Sequence, residues 1–430
     1  MSADAGVALD RDRHVKYWKR CAQLLPEQYT AGESNRMSFG FFIVAALDLL
    51  DALETATTPE ERQSWIEWIY ACQVPFTGGF RGFTGTNLGG MRTPHNWHWD
   101  SASLPNTYFA LATLLMLGDD MNRVKRKECI EWVRSLQRQN GSFGETLGED
   151  DVIEGGDDPR LCMCALGTLC ILQGRGLDGG SESLIDATKL KEYILNCQVS
   201  SIDLRPSVAI EMLIINLPQS HDGGIAQQPL LEAHSGLNYC GIATLSFLGL
   251  LQNPPVPAYE VAGQTGLDTE ACIKWMLDRQ TTWVEEEDED EDEDEDEEDD
   301  VAHNSAEQQI SSSVEADPSR LQKTIAGFCG RCGKMADTCY CFWNAGALAI
   351  LQRQHLVDIE ALRYYLLGKV AHLIGGFAKA PGELPDLLHS YTGLAALAIY
   401  GEPGLKALDP TFCFSRKSVE KLKDVAWRSS

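Results

Sequence analysis

The chain has 430 residues, 44% of them hydrophobic, and a formal net charge of -27, which is enough apolar content for a large core in one big domain or a few smaller ones. Residues 285–300 are sixteen consecutive Asp and Glu, so the rest carries about -11 once they are set aside, a sign that repels phosphate backbones and anionic lipid and excludes nucleic-acid binding as the main task. No stretch reaches the ~18 apolar residues of a membrane span, and the N-terminus has no basic region followed by an apolar segment, so no stable membrane insertion is expected and the cytoplasm is the expected compartment.

Read in chain order, apolar residues recur at helical spacing from Phe41, Val44, Leu47 and Leu50 onward, and strand-like alternation is scarce. A glycine-centred motif then returns as TGGFRG at 77–82, NGSFGE at 140–145, DGGIAQ at 222–227, AGFCGR at 326–331 and IGGFAK at 374–379. Several copies follow a helix carrying an aromatic and a Gln, such as Trp68 with Gln73, Trp132 with Gln137 and Trp275 with Gln280. Five copies of helix, glycine turn and helix predict stacked helical hairpins, because one hairpin cannot cover its apolar face alone. The fold class is therefore all-α in a single domain spanning 1–430, interrupted by an acidic, low-complexity and disordered insertion at 281–319. The fourteen cysteines are sparse, and Cys162, Cys164, Cys170 and Cys240 lie inside apolar helical patterns, so they read as small buried hydrophobes rather than a disulfide framework.

Chemistry collects just after the glycine turns. The acidic stretch EDDVIE at 149–154 superficially resembles a magnesium-binding element but reads as a solvated loop, being flanked by Gly148 and Gly155 without a second copy. Arg160 lies in DDPRLCMC, His234 in LEAHSGLNYCG, and the densest cluster is GFCGRCGKMADTCYCFW at 327–343. If the hairpins close into a ring, the starts of alternate helices face one cavity. Asp337, Cys339 and His389 then form a carboxylate, thiolate and imidazole set with an open fourth position, the arrangement of catalytic zinc. The alternatives are an N-cap role for Asp337 and a structural zinc held by Cys329, Cys332, Cys339 and Cys341. Arg331, Lys334, His234 and Tyr340 suit an anion site, with Arg160 and Lys379 as further cations; gathering such charges is costly unless a multi-oxygen anion neutralises them.

On these residues, from RDRHVKYW at 11–18 to LLHSYTGLAALA at 387–398, the chain resembles the protein prenyltransferase β family, and within it the geranylgeranyl-transferring type I branch. The resemblance implies an α-α barrel, a zinc ion on Asp337, Cys339 and His389, and diphosphate binding by His234, Arg331, Lys334 and Tyr340. It places Arg160, Trp343, Ser235 and Gly236 along the isoprenoid cavity. Ser38 stands where farnesyltransferases carry a bulky Trp, so a C20 lipid is expected to fit. Lys379 stands where they carry a magnesium-binding Asp, so magnesium is expected to be dispensable. Phe42, Ser103 and Leu388 match the peptide pocket, although Ser103 replaces a His, and Met163 replaces a Tyr of the lipid cavity. The implied partners are a helical-repeat α subunit shared with farnesyltransferase, geranylgeranyl diphosphate, and C-a-a-X proteins such as Rho-type small GTPases. Two competing expectations remain: a farnesyltransferase β subunit, and a non-catalytic helical scaffold with a structural zinc.

Overall fold

The computed structural model describes residues 8–173, 184–198, 223–251, 266–284, 324–425 and 427. Among the described residues twelve main helices follow in chain order: α1 Arg11–Gln23, α2 Arg36–Leu49, α3 Pro59–Ala71, α4 Leu104–Leu117, α5 Arg126–Ser135, α6 Pro159–Gln173, α7 Ala187–Asn196, α8 Ser235–Phe247, α9 Thr269–Leu277, α10 Thr338–Ile350, α11 Ile359–Gly368 and α12 Leu387–Ile399. The even-numbered helices, such as ALAIL-type α10 and FGFFIVAAL-type α2, are apolar almost all round and buried. The odd-numbered ones carry charge on one face, as in α1 and α5. A helix apolar on every side belongs inside and an amphipathic one covers it. The packing follows: α2 contacts α4, α4 contacts α6, and so on through α12, which returns to α2 and closes a ring. This is the all-α barrel expected from the sequence.

Each glycine turn is held in the same way. The amide of its aromatic or aliphatic residue donates to a polar side chain on the following inner helix, Phe80 to Thr107 at 2.9 Å, Ile225 to Asn238 at 3.1 Å and Phe377 to Ser390 at 2.9 Å. The Gln before the turn reaches sideways: Gln137, Gln198 and Gln280 each accept from and donate to the backbone of Asp186, Asp268 and Asp358, the residues capping α7, α9 and α11. These glutamines clamp one hairpin to the next. An N–H in the first two residues of an inner helix donates to the carbonyl two residues past the turn's aromatic in the neighbouring unit: Met37 to Gly82, Leu104 to Glu145, Thr338 to Lys379 at 2.8–3.0 Å, and Ser235 to Gly330 at 3.0 Å. Helix α6 starts with Pro159 and has no such donor. At the seam, where the first unit lacks a glycine turn, Leu387 donates instead to the Tyr29 hydroxyl.

These bonds gather all the inner-helix N-termini at one end. The other end is closed by the chain after α12: Tyr108, Tyr239 and Tyr391 donate to the carbonyls of Phe412, Pro410 and Cys413. Met163 occupies the same register on α6 as those tyrosines do on α4, α8 and α12, five residues into its helix. The stretch 149–154 is a one-turn 3-10 helix followed by a short strand paired with Thr146–Leu147, mostly exposed. Of the expected insertion at 281–319, Thr281 pairs with Gly327 in a two-residue strand and 282–284 are described, while the acidic run lies outside the described residues.

Gly141 has φ +93, and a Cβ there would collide with the backbone of Lys189 in α7. Gly141→Ala is expected to lower the unfolding free energy by roughly 1–3 kcal/mol, read as a drop in the midpoint of thermal or denaturant unfolding.

Candidate active site

The residues immediately preceding the inner helices, Asn35, Ser103, Asp158, His234, Asp337 and Asp386, form a ring at the mouth of the barrel. The side chains of His234, Asp337 and Asp386 cap their own helices, accepting from the amides of Gly236, Cys339 and His389. Capping fixes these side chains before any ligand arrives.

Asp337 and Cys339 come from the start of α10 and His389 from the start of the adjacent α12. Their ligand atoms lie within 4.8 Å of one another. His389 Nε2 is 3.3 Å from Asp337 Oδ1, while Nδ1 is 2.5 Å from Asp386 Oδ2. Burial lowers the His389 pKa, but its bonds to Asp337 and Asp386 outweigh this and raise it to about 9. Asp337 is pushed up by burial but held below the ordinary carboxylate range by His389 and by the Cys339 thiol and amide. Burial, with Asp337 adding to it, drives the Cys339 thiol well above its ordinary pKa. A buried thiol against a carboxylate is unstable as a thiolate unless a cation joins them, and a carboxylate behind a histidine is the usual outer partner of a metal ligand. The donor set and its surroundings fit zinc with an open position. Asp386 was not anticipated from sequence; its only signal was an acidic N-cap three residues before His389.

The four-cysteine alternative is not assembled. Cys341 is buried, its sulfur receives the Phe328 amide and lies 3.7 Å from the Asp337 carbonyl, and Cys332 is exposed. Cys341 thus does in its hairpin what Thr107 and Ser390 do in theirs. Among the described residues the Asp337, Cys339 and His389 group is the one such cluster.

Beside it, His234 Nε2 is 3.3 Å from the Tyr340 hydroxyl, and Gly330 leaves the room that the Tyr340 ring occupies. Burial, then Arg331 and Arg160, lower the His234 pKa, so it is neutral near pH 7. Arg331 faces Glu232 at 3.5 Å, and Arg160 is held by Asp158 at 2.9 Å. Lys334 and Lys379 are exposed, and the Lys379 carbonyl receives the Thr338 amide next to Asp337. A cavity of about 920 Å³ runs inward from Arg160, His234 and Arg331, past Phe42, Met163, Gly236 and Trp343, to Cys413. Ser235 does not line it: it is buried and bonds the carbonyls of Cys329 and Gly330 and the Asn344 amide. Ser38 is half-buried one turn before Phe42 on α2. Ser103 donates to Glu145, itself on the cavity wall, and Leu388 is exposed at the start of α12.

The family described as "Prenyltransferase alpha-alpha toroid domain" matches residues 9–414, and the chain belongs to it. It is 28% identical to the geranylgeranyl transferase type-1 subunit beta of Dictyostelium discoideum, over 97% of this chain and 98% of that one. It is 29% identical to the subunit of the same name from Arabidopsis thaliana, over 93% and 88%. Its fold is similar to that of the Candida albicans protein geranylgeranyltransferase-I complexed with GGPP, with a TM-score of 0.71 at 23% identity, covering 97% of this chain and 99% of that one.

With His389 titrating near 9 and Cys339 above that, both are protonated at pH 7 in the metal-free chain. Zinc uptake at pH 7 is expected to release about two protons, measurable by calorimetry in buffers of different ionisation enthalpy. Asp386→Asn is expected to weaken zinc binding ~10–100-fold in a competition titration, with the fold retained.

Proposed function

We propose that this toroid is the catalytic β subunit of a zinc-dependent protein geranylgeranyltransferase of type I, moving a C20 group from geranylgeranyl diphosphate to the cysteine of a C-terminal C-a-a-X sequence, X mostly Leu. The observation that carries this is the placement of Asp337, Cys339 and His389 within 4.8 Å, at the end where a mostly apolar 920 Å³ cavity opens between Arg160 and Arg331, each paired with a carboxylate. The names of the curated relatives support the same reading.

Zinc bound to the triad would take the acceptor cysteine as fourth ligand and keep it as thiolate at neutral pH. The lipid lies in the cavity with its diphosphate at the mouth, near His234, Arg331, Lys334 and Tyr340. Arg331 exchanges Glu232 for the diphosphate, and Tyr340 donates to a phosphate oxygen. As the acceptor sulfur bonds to C1 of the lipid, the C1–O bond breaks and its electron pair leaves with the diphosphate. The charge that grows there is met by groups already in place, with the ammonium of Lys379 standing in for magnesium. Arg160, Trp343 and Gly236 border the chain, Ser38 leaves room for a fourth isoprene unit, and Phe42, Ser103 and Leu388 border the peptide.

The family likeness further suggests a heterodimer with a helical-repeat α subunit, Rho-type small GTPases as acceptors and a cytoplasmic location. Among the described residues no helix is long and apolar enough to cross a membrane. The full chain co-expressed with such an α subunit should prenylate peptides ending in Leu in preference to Met or Ser, using C20 over C15 diphosphate without added magnesium. Cys339→Ala should abolish both bound zinc and transfer, and Ser38→Trp should shift preference toward the C15 lipid. A preference for the C15 lipid in the unmutated enzyme, or full activity of Cys339→Ala, would overturn the assignment. Arg331→Ala should cost on the order of 10²–10³ in kcat by analogy with a lost oxyanion donor.

A further inference from the structure

Cys329 and Cys332, the C-x-x-C pair of the 327–343 cluster, have no part in the Asp337, Cys339 and His389 set. Of the fourteen cysteines Cys332 is the exposed one, and Cys329 is buried. Between them stands Arg331, at the mouth of the cavity, where it faces Glu232. Residues 331–335 form an arch, all five exposed, with buried residues at both feet. Both feet are pinned. The Cys329 amide donates to the Arg279 carbonyl at 2.9 Å, and the carbonyls of Cys329 and Gly330 accept from Ser235. At the other foot the Ala336 and Asp337 amides donate to the carbonyls of Trp283 and Phe328, each at 2.9 Å. Movement is thereby confined to the exposed residues between.

The Cys329 sulfur points into the arch: it receives the Lys334 amide, and the Cys332 thiol is near enough to act on it electrostatically. The chain bends at Gly330 and Arg331 and turns at Cys332 and Gly333, where Gly333 has φ +65, so the exposed thiol is carried back over the buried one. Two cysteines three residues apart across such a reversal can reach the Cα separation of roughly 4.4–6.8 Å that a disulfide needs. A second observation lies below Cys329. Arg279 is 7% exposed and stacks over the Trp275 ring at 4.8 Å, and its Nε and Nη1 have no hydrogen-bond partner among the described residues. A buried guanidinium with idle donors is costly. Burial raises the Cys329 pKa while Arg279 lowers it, so a sulfur that turns anionic there during reaction finds a cation already in place.

We propose that Cys329 and Cys332 are a reversible redox pair whose disulfide draws Arg331 away from the mouth of the barrel. A peroxide takes two electrons from the exposed Cys332 sulfur, leaving a sulfenic acid and one water. The Cys329 sulfur attacks that sulfur, the S–S bond forms, and the hydroxyl departs with the Cys329 proton as a second water. A thiol reductant such as glutathione restores both thiols by exchange and is itself oxidised to its disulfide. The exposure of Cys332 leaves the bond open to that reductant, as in regulatory rather than structural disulfides. Closing it pulls position 332 down on to 329, takes the Lys334 amide off the sulfur, and turns Arg331, which is held between the two. Asp337 lies beyond the pinned foot, so the Asp337, Cys339 and His389 set stays as it is. The effect on binding rests on the diphosphate role proposed for Arg331; the bond itself does not.

The test uses the full chain, zinc-loaded and co-expressed with a helical-repeat α subunit, treated with hydrogen peroxide, alkylated and digested with trypsin. Cleavage after Arg331 parts the two cysteines, so the disulfide is read by mass as residues 324–331 joined to 332–334. The joined peptide should appear with peroxide and vanish with dithiothreitol, at constant zinc content. Affinity for geranylgeranyl diphosphate should fall at least ~10-fold on oxidation, the scale of one lost charge-assisted hydrogen bond, and recover on reduction. Cys332→Ser should bind and transfer like the reduced wild type and keep doing so under peroxide. Absence of the joined peptide at peroxide doses that leave zinc bound overturns the redox pair, whatever the chain transfers. A joined peptide with unchanged affinity, in an enzyme whose Arg331→Ala variant binds weakly, overturns the displacement of Arg331. Peroxide sensitivity that Cys332→Ser retains, with zinc lost, would place the oxidation at Cys339 and overturn the proposal. A reduced Arg331→Ala that binds the diphosphate like wild type overturns the role given to Arg331, and with it the effect of the disulfide, while the joined peptide still decides the bond.

Discussion

The barrel depends on a backbone hydrogen bond that each of α2, α4, α8 and α10 makes outside its own hairpin. Its donor, an N–H unsatisfied at any helix start, is taken up by the carbonyl two residues beyond the aromatic of the next glycine turn, as Thr338 does with Lys379 and Leu104 with Glu145. Because the acceptor belongs to the neighbour, helix ends align only when the units are in sequence around a ring. The glutamine clamps repeat the linkage on the outer layer. Ring closure and the convergence of helix starts are therefore one event.

That convergence is what turns a structural position into a chemical one. Six residues that precede inner helices stand around one opening, and four of them, Asp158, His234, Asp337 and Asp386, cap their helices with their side chains. At Asp337 the same carboxylate that holds the Cys339 amide also faces His389, and at His234 the ring that holds the Gly236 amide turns its other nitrogen to Tyr340. The aligned helix starts add positive backbone potential at the place where a diphosphate would carry growing charge. The Asp337, Cys339 and His389 group and the His234–Tyr340 pair are neighbours because α8, α10 and α12 are neighbours.

Much of this could be read from the residues alone. The glycine turns, the all-α hairpins and the pairing of Asp337 with Cys339 follow from motif and spacing, and bringing His389 to them requires only a closed ring. The carbonyl relay could not be read, because a backbone acceptor leaves no trace in side-chain identity except the odd Pro159 that cannot donate. Ser235 looked like a cavity residue beside His234, yet one step along a helix turns it toward Cys329, Gly330 and Asn344. Cys341 looked like a possible ligand until its register, shared with Thr107, Asn238 and Ser390, showed that a glycine turn already occupies it. Asp386 was hidden because acidic N-caps are common and only the imidazole beyond it gives this one a second task.

The three tyrosines anchored to residues 410–413 have a consequence for traffic through the barrel. They make the chamber a cul-de-sac, with the same doorway for arrival and departure. On the proposed function a hydrocarbon tail would be threaded in before anything settles across the threshold, and the finished lipopeptide would withdraw along the route by which its tail came. If the chamber holds the lipid as proposed, loading of the next tail and release of the last would be competing uses of a single passage.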